Sequence, residues 1–475
     1  MREGVHEVVE QKYEIGMVGL GVMGRNLVLN LADHGYSVVG YDKEGSQVEA
    51  LLMEANGRDV RSVKSLEEFI HLLPSPRAVM MLVPAGPPVD AVIQDLIPHL
   101  NPGDLIIDGG NSHFKDTDRR GEMLAKKGVE YLGVGISGGE LGARHGPSMM
   151  PGGPRGAYER VQPIFEAIAA QAGGEPCVTF LGPGSAGHYV KMIHNGIEYG
   201  LMQLIAETYD LMRRGLNLTD DQLGEIYNRW NQGELNSYLI EITAHIFRQV
   251  DAKTGKRLID LILDEAKQKG TGMWTSQDAM NLQVPVPTID VAVAMRNLSA
   301  AKDERETASR ILDRPAHIFE GDQATFSNQL RSALYAALII TYAQGMAQLR
   351  RASQVYGYNF NLEDIARIWR GGCIIRSALL NEIRAAYHAE PDLANLLDSH
   401  LGKQVLERRK DLQAVVCTTA QLGIPLPGLM VSLAYLDAYR SAWLPANLIQ
   451  AQRDYFGAHT YERVDARGVF HTQWD

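Results

Sequence analysis

The sequence predicts an α/β N-terminal domain built on a doubly wound parallel sheet, then a large all-α domain with an internal helical repeat, then a C-terminal tail. Three observations predict it. Short apolar runs alternate with amphipathic helical patterns up to residue 185, the mark of a parallel sheet. From "GSAGHYVKM" onward strand signals nearly vanish, and 3.6-period segments continue to about residue 440. The last segment, "LIQAQRDYFGAHTYERVDARGVFHTQWD", is polar and aromatic with little periodicity. The expected domains are therefore 1–185, 186–440 and 441–475.

Bulk composition narrows the function classes. With 475 residues, 45% hydrophobic and 22% charged, the chain is ordinary globular material for two or three domains. A net charge of −11 argues against a nucleic-acid or anionic-membrane partner. Cys177, Cys373 and Cys417 are widely separated, which fits a reducing compartment and neither a disulfide framework nor a zinc site. The opening "MREGVHEVVEQKYE" has no apolar h-region, and no apolar run reaches membrane-spanning length. A soluble, cytoplasmic protein is expected.

The first strand, "EIGMVGL" (14–20), runs into "GLGVMG", whose Gly19, Gly21 and Gly24 open the helix "VMGRNLVLNLADHG". Glycines at this spacing allow a tight turn, close approach to a pyrophosphate and close helix–strand packing, and the helix N-terminus offers free N–H groups. The second strand, "SVVGY" (37–41), ends at Asp42, where a carboxylate accepts adenosine ribose hydroxyls and repels a 2′-phosphate. Lys43 could offset that repulsion, so NAD and NADP both stay open. The candidate coenzyme set is Gly19, Leu20, Gly21, Val22, Met23, Gly24, Asp42, Lys43, Val83 and Asn111.

Further strands are expected at "AVMMLV" (78–83), "DLIIDGG" (104–110), "VEYLGVGI" (129–136) and "CVTFLG" (177–182), with a helix at "PVDAVIQDLIPHL" (88–100). "DGGNSHFKDTDRR" places Asn111 past a strand's carboxyl end, the side where open α/β sheets bind ligands. "GISGGELGARHGPSMMPGG" puts Ser137, Gly138 and Gly139 on a loop able to present donors to a carboxylate.

The helix "GHYVKMIHNGIEYGLMQ" carries two stripes. Val190, Ile193, Ile197, Leu201 and Leu204 form a core stripe. Beside it run Lys191, His194, Asn195 and Glu198, and the seven-residue step puts Lys191 and Glu198 on one face. A polar row is ordinarily a solvated face. Apolar flanks and the glycine-rich junction "GPGSAGH" point instead to a cleft. The repeat sharpens the point. Leu223, Ile226, Trp230 and Gly233 recur as Leu362, Ile365, Trp369 and Gly372, yet near the second copy's equivalents of Lys191 and Glu198 stand Leu334, Tyr335, Thr341 and Tyr342. The ionisable row occurs once.

Other residues have structural readings. His188 is expected as a packed or capping histidine, Asp118, Arg119 and Arg120 as an exposed helix face, Trp230 and Trp369 as core, and Arg144 as a brace for the loop. The tail's Arg453, Tyr455, Phe456, His459 and Tyr461 are too adhesive for a solvated end, so the tail is expected to dock.

"GLGVMG", "IDGGNS", "SGGELGARHGPSMMPGG", "GHYVKMIHNGIEYG", "QKGTGMWT" and "LIQAQRDYFGAHTY" together resemble the decarboxylating 6-phosphogluconate dehydrogenases, from about residue 13 to 472. The resemblance implies oxidation and decarboxylation of 6-phosphogluconate to ribulose 5-phosphate with NADP, the family default, or NAD, without a metal, in a homodimer. It implies Lys191 as the base at the C3 hydroxyl and Glu198 as the acid that protonates C1. It implies sugar-acid contacts from Asn111, Ser137, Gly138, Gly139, His194 and Asn195, and phosphate contacts from Tyr199, Lys269, Thr271 and Arg296. Arg453 and His459 are then expected to arrive from the partner's tail. Two departures matter. NADP-using members commonly show Asn-Arg-Ser/Thr where "YDKEG" puts Asp42, Lys43 and Glu44, and tend to have lysine where Pro84 stands. Met273, where lysine is frequent, has no assigned role. The alternatives are a related β-hydroxyacid dehydrogenase on another sugar acid, which has no use for the Lys269, Arg296 and Arg453 cations, and a nucleotide-binding protein without turnover.

Overall fold

The computed structural model describes residues 12–312 and 317–474, so the charged N-terminal stretch lies, up to residue 11, outside the described residues. Seven strands, β1 (Ile15–Val18), β2 (Val38–Tyr41), β3 (Val60–Val63), β4 (Ala78–Met81), β5 (Leu105–Asp108), β6 (Glu130–Ser137) and β7 (Ser148–Gly152), pair in the order β3-β2-β1-β4-β5-β6-β7. The first six are parallel, and β7 runs antiparallel to β6, from Gly133 opposite Gly152 to Ser137 opposite Ser148. Helices α1 (Val22–Asp33), α2 (Gly45–Ala55), α3 (Leu66–His71), α4 (Pro87–Leu96), α5 (Phe114–Ala125), α6 (Gly139–His145) and α7 (Arg155–Ile168) connect or flank them.

Strand side chains alternate between the two faces. Ile15, Met17, Met80, Ile107 and Val134 share one core with Leu27 and Leu31 of α1 and Phe165 of α7. Val18, Val39, Val79 and Ile106 share the other with Phe69 of α3, Ile93 of α4 and Leu124 of α5. The sheet is thus covered on both faces, as the α/β expectation requires.

Two strand expectations are corrected. The edge strand β3, "VRSV", went unread because it exposes Arg61 and lacks an apolar run. "CVTFLG" is not a strand: it reaches β7 only through a bridge between Val178 and Met149 and the bond from Leu181 N to the Pro151 carbonyl. Pro151 has no N–H with which to extend that ladder. "SMMPG" forms β7 in its place.

Apart from two short antiparallel pairings, Gln171–Ala172 with Glu175–Pro176 and, in the tail, Tyr461–Glu462 with Val469–Phe470, the rest of the chain is mainly helical: α8 (Ala186–Asp210), continued by a π-turn at Leu211–Gly215, then α9 (Asp220–Trp230), α10 (Tyr238–Ile246), α11 (Thr271–Leu282), α12 (Pro287–Ala300), α13 (Lys302–Ile311), α14 (Gln323–Tyr356), α15 (Leu362–Ile368), α16 (Leu379–Ala389), α17 (His400–Leu422), α18 (Pro427–Tyr439) and α19 (Ala446–Gly457). One long helix, two short ones and a pair whose second member starts on proline occur in that order from α8 to α12 and again from α14 to α18. Trp230 and Trp369 stand at the ends of α9 and α15, both buried. The long helices α8 and α14 approach closely where Gly345 meets Ile197 and Gly200 meets Thr341. α12 and α18 start on prolines without side-chain caps, and buried acceptors serve their N–H groups. Gln344 accepts from Thr288 N at 3.0 Å, and Glu207 accepts from Gly428 N at 2.7 Å and Leu429 N at 2.9 Å. No described helix is long and apolar enough to cross a membrane.

The tail folds on itself around Asp454, which has no exposed surface. Its carboxylate accepts from Thr460 N at 2.9 Å, Thr472 N at 3.1 Å and Trp474 Nε1 at 2.9 Å, and meets His471 Nδ1 at 2.9 Å. Burial pushes this carboxyl up, and the four partners more than reverse it, leaving it at about 2. Among the described residues, the hydrogen bonds of 445–474 close within that segment. Trp443, Leu448, Ile449, Tyr455 and Phe456 are left exposed.

Candidate active site

At the β1–α1 turn, Gly19 has φ +92°, and a Cβ there would lie 2.5 Å from the Leu82 carbonyl oxygen. A Cβ on Gly24 would lie 1.9 Å from the Gly19 oxygen. Gly21 differs, with no atom within 4 Å of its Cβ position, and α1 starts from it with no side-chain cap. The first N–H groups of α1 therefore have no side-chain acceptor, and these residues fit a dinucleotide pyrophosphate. Leu20 is core and turns only its backbone to the site: its N–H donates to Asp42 Oδ2 at 2.8 Å. Asp42 Oδ1 accepts from Glu44 N at 2.9 Å. Val22 and Lys43 are exposed, Met23 and Val83 are half-buried, and Lys43 has no partner among the described residues.

Glycines let α8 lie directly on the sheet. A Cβ on Gly135 of β6 would lie 2.3 Å from Lys191 Cβ, and one on Gly187 would lie 2.3 Å from the Gly133 oxygen. Lys191 is 6% exposed. Burial pushes its ammonium below the usual lysine range, against the pull of Glu198. Burial likewise pushes the Glu198 carboxyl up, against Lys191 and Arg296. An amine biased toward neutrality and an acid biased toward protonation thus share one helix face, as a base–acid pair needs.

His194 is fully buried between them, with Nε2 3.2 Å from Ser137 Oγ, Nδ1 3.1 Å from Asn195 Oδ1, and Glu198 Oε2 at 3.9 Å from Nδ1. Burial, then Lys191, holds its imidazole well below the usual range, so the ring is neutral. Asn195 Nδ2 donates to Thr271 Oγ1 at 3.1 Å, where α11 begins after Gly270. Arg296 of α12 stacks on Tyr199 at 3.7 Å.

The structure therefore gathers Ser137, Lys191, His194, Asn195, Glu198, Tyr199, Thr271 and Arg296. Gly138, with φ +115°, leaves no room for a side chain beside the Gly372 oxygen, at 2.5 Å, while Gly139 faces open space. Asn111 and Lys269 are exposed without partners among the described residues. Arg453 and His459 stand exposed on the tail, where Arg453 donates to Gln450 at 2.9 Å, and form no hydrogen bond or ion pair with the row. In α14 the counterpart side chains make structural bonds: Tyr342 to the Ile375 carbonyl at 2.8 Å and Tyr335 to Gln404 at 3.2 Å. Among the described residues, no group of three or more His, Cys, Asp or Glu converges as a metal site would require.

One expectation is overturned beside the site. Arg120, read as part of an exposed face, has no exposed side-chain surface. Its Nε and Nη2 donate to the two oxygens of Asp90, each at 2.9 Å, and it holds that carboxyl down to about 2. Nη2 also reaches the Gly86 carbonyl at 3.0 Å, and Nη1 reaches Ser112 Oγ at 3.2 Å. Asp118 is likewise half-buried, accepting from Ser185 N at 2.9 Å and Oγ at 2.8 Å. Arg119 is exposed, as expected. His188 is packed, between Thr117 Oγ1 at 2.7 Å and the Asp108 carbonyl at 3.1 Å, and Arg144 braces its loop against Asp33 at 2.6 Å. A signal for Arg120 existed: Phe114, Thr117, Arg120 and Leu124 form the buried stripe of α5 at helical spacing.

A nucleotide-type sheet joined to an amine–acid pair, Lys191 buried and Glu198 half-buried, on the first helix of an all-α domain suits a dinucleotide-dependent enzyme that moves protons at its substrate. Comparison narrows the class. Residues 14–182 match the NAD binding domain of 6-phosphogluconate dehydrogenase, and 187–474 match the 6-phosphogluconate dehydrogenase C-terminal domain. The Bacillus subtilis NADP(+)-dependent, decarboxylating 6-phosphogluconate dehydrogenase is 51% identical over 98% of this chain and 99% of its own length. The decarboxylating Escherichia coli K12 protein is 50% identical over the same shares. The structure of Plasmodium falciparum 6-phosphogluconate dehydrogenase, studied in apo form and with NADP+ and with 6-phosphogluconate, superposes with a TM-score of 0.94 at 44% identity, covering 97% of this chain and all of that one. The chain belongs to the 6-phosphogluconate dehydrogenase family.

Proposed function

We propose that the protein oxidises and decarboxylates 6-phospho-D-gluconate to D-ribulose 5-phosphate and CO2, reducing NADP+ or NAD+. The observation that carries this reading is the Lys191–His194–Asn195–Glu198 row, its first three members buried and Glu198 half-buried, with the lysine pushed down and the glutamate pushed up. The Gly19–Gly24 turn, Asp42, Lys43 and Val83 would hold the coenzyme, which would supply the acceptor for the hydride that leaves C3. Lys191 removes the proton of the C3 hydroxyl. The 3-keto acid so formed has its ketone β to the carboxylate, and protonated Lys191 donates to the ketone oxygen while the C1–C2 bond breaks. The electron pair of that bond forms the C2–C3 double bond of an enediol and CO2 departs. Glu198 then protonates the carbon that has lost CO2, which becomes C1 of the pentulose, while the neutral Lys191 amine takes back the enediol hydroxyl proton and the ketone re-forms.

Asn111, Ser137, Gly138, Gly139, His194 and Asn195 hold the sugar acid, with neutral His194 donating from Nδ1 to Asn195 Oδ1 and accepting from the Ser137 hydroxyl at Nε2. Tyr199, Lys269, Thr271 and Arg296 hold the phosphate, Lys269 as a point charge and Arg296 as a planar fork. The first domain (1–185) serves the coenzyme and the second (186–440) the substrate. The working unit is a homodimer in which the tail (441–475) of one protomer carries Arg453 and His459 to its partner's row. Support comes from the tail's exposed aromatic run and its self-closed hydrogen bonding. The reaction is placed in the cytoplasm, in keeping with three unpaired cysteines.

Incubation with 6-phosphogluconate and each coenzyme, following the reduced-nicotinamide absorbance and trapped CO2, tests the proposal. Equimolar reduction and CO2 release are expected. Folded protein that yields neither defeats it.

A further inference from the structure

Arg120 is a cation buried where burial is costly, and replacing such an ion pair by apolar side chains is often neutral or stabilising. Stability is therefore a poor reason for its presence, and its contacts suggest another. Gly86 and Asp90 belong to the loop and helix that follow β4, the segment that begins with Val83. Asp108 ends β5, and Ser112 belongs to the loop that follows it, which carries Asn111. The guanidinium grips the first segment at Asp90 and the Gly86 carbonyl, and the second at Ser112 Oγ, with Asp108 Oδ2 at 3.8 Å.

Beyond it, Asp108 gathers the second loop, accepting from Gly110 N at 3.0 Å, Ser112 Oγ at 2.6 Å and Tyr131 OH at 2.9 Å. The two segments also touch directly, because the Cβ position of Gly110 lies 3.2 Å from the Val83 carbonyl oxygen. A planar fork fixes distance and angle together, which an ammonium on a flexible stem does not.

We infer that Arg120 is a positioning residue, which fixes the separation of the loops after β4 and β5 and thereby aims the nicotinamide half of the coenzyme. The inference rests on the coenzyme reading above. It assigns Arg120 no contact with coenzyme or substrate. The adenosine half, held by the β1–α1 turn and Asp42, lies outside its reach in this arrangement.

The test uses the full-length protein and the Arg120→Lys variant, with calorimetric titration of NADPH, NADH and ADP-ribose, which lacks the nicotinamide. The parent must first bind NADPH or NADH. Failure there defeats the coenzyme reading and not the role of Arg120. For Arg120→Lys, unchanged ADP-ribose affinity is expected, with reduced coenzyme bound about tenfold or more weaker, at a melting temperature near the parent's. Hydride transfer should fall by about a hundredfold, as loss of aim requires. Equal weakening of all ligands, or none, overturns the inference. If Arg120→Lys does not fold, Ser112→Ala removes the Nη1 contact together with the Ser112–Asp108 bond, leaves the grip on Asp90 and Gly86, and is judged on the same ligands by the same criteria.

Discussion

Lys191 is held below the usual lysine range by burial, and this bears on stability as well as chemistry. The unfolded chain keeps the lysine proton up to its ordinary value of 10.5, while the folded chain releases it at lower pH. Stability is therefore reduced at neutral pH, and the deficit closes as pH rises toward that value. Lys191→Met should abolish turnover, by at least ~10²-fold, with coenzyme affinity retained. It should also melt roughly 2 °C or more above the parent at pH 7, with the gain shrinking as pH approaches 10. Calorimetric scans across pH check the second point, and a variant less stable than the parent at pH 7 refutes it. Asp42 makes a separate residue-scale case. Its carboxylate is tied across the glycine turn beside unpartnered Lys43, so Asp42→Asn removes the negative charge facing an adenosine 2′-phosphate. The ratio of kcat/KM for NADP+ over NAD+ should rise about tenfold, or ~1.4 kcal/mol. An unchanged ratio would place coenzyme choice elsewhere.

Between elements, the contact that sets the active row is α8 against β6, glycine against side chain. Gly135→Ala would drive a methyl into Lys191 Cβ from a strand that cannot retreat. The expected cost is ~1–3 kcal/mol in urea unfolding together with a large loss of kcat, measured on the same preparation. This scale also shows how much the sequence disclosed. Apolar strands between helices were legible as a parallel sheet, and the Lys191–Glu198 row was legible because a second, apolar copy of the scaffold stood beside it. β3 and β7 were not, since neither is a clean apolar run and β7 takes its place from pairing with β6. Arg120 was misread for a tertiary reason. Its residue type signals solvent, while its burial depends on Asp90, thirty residues upstream, and on Asp108 at the end of β5.

At the scale of the whole molecule, a single chain brings together the amine, the acid, Thr271 and Arg296, and leaves Arg453 and His459 on a separate folded tail. In the proposed dimer, a tail already closed around Asp454 would reach its partner as a preformed plug, without unravelling. Two inactive chains should then rescue each other. In a heterodimer of Lys191→Met with Arg453→Ala, one pocket inherits both defects and the other inherits neither. Co-refolding the two should restore about half the parental rate per heterodimer, by the arithmetic of two pockets. Mixtures that stay as dead as their components would mean that each protomer fills its own pocket.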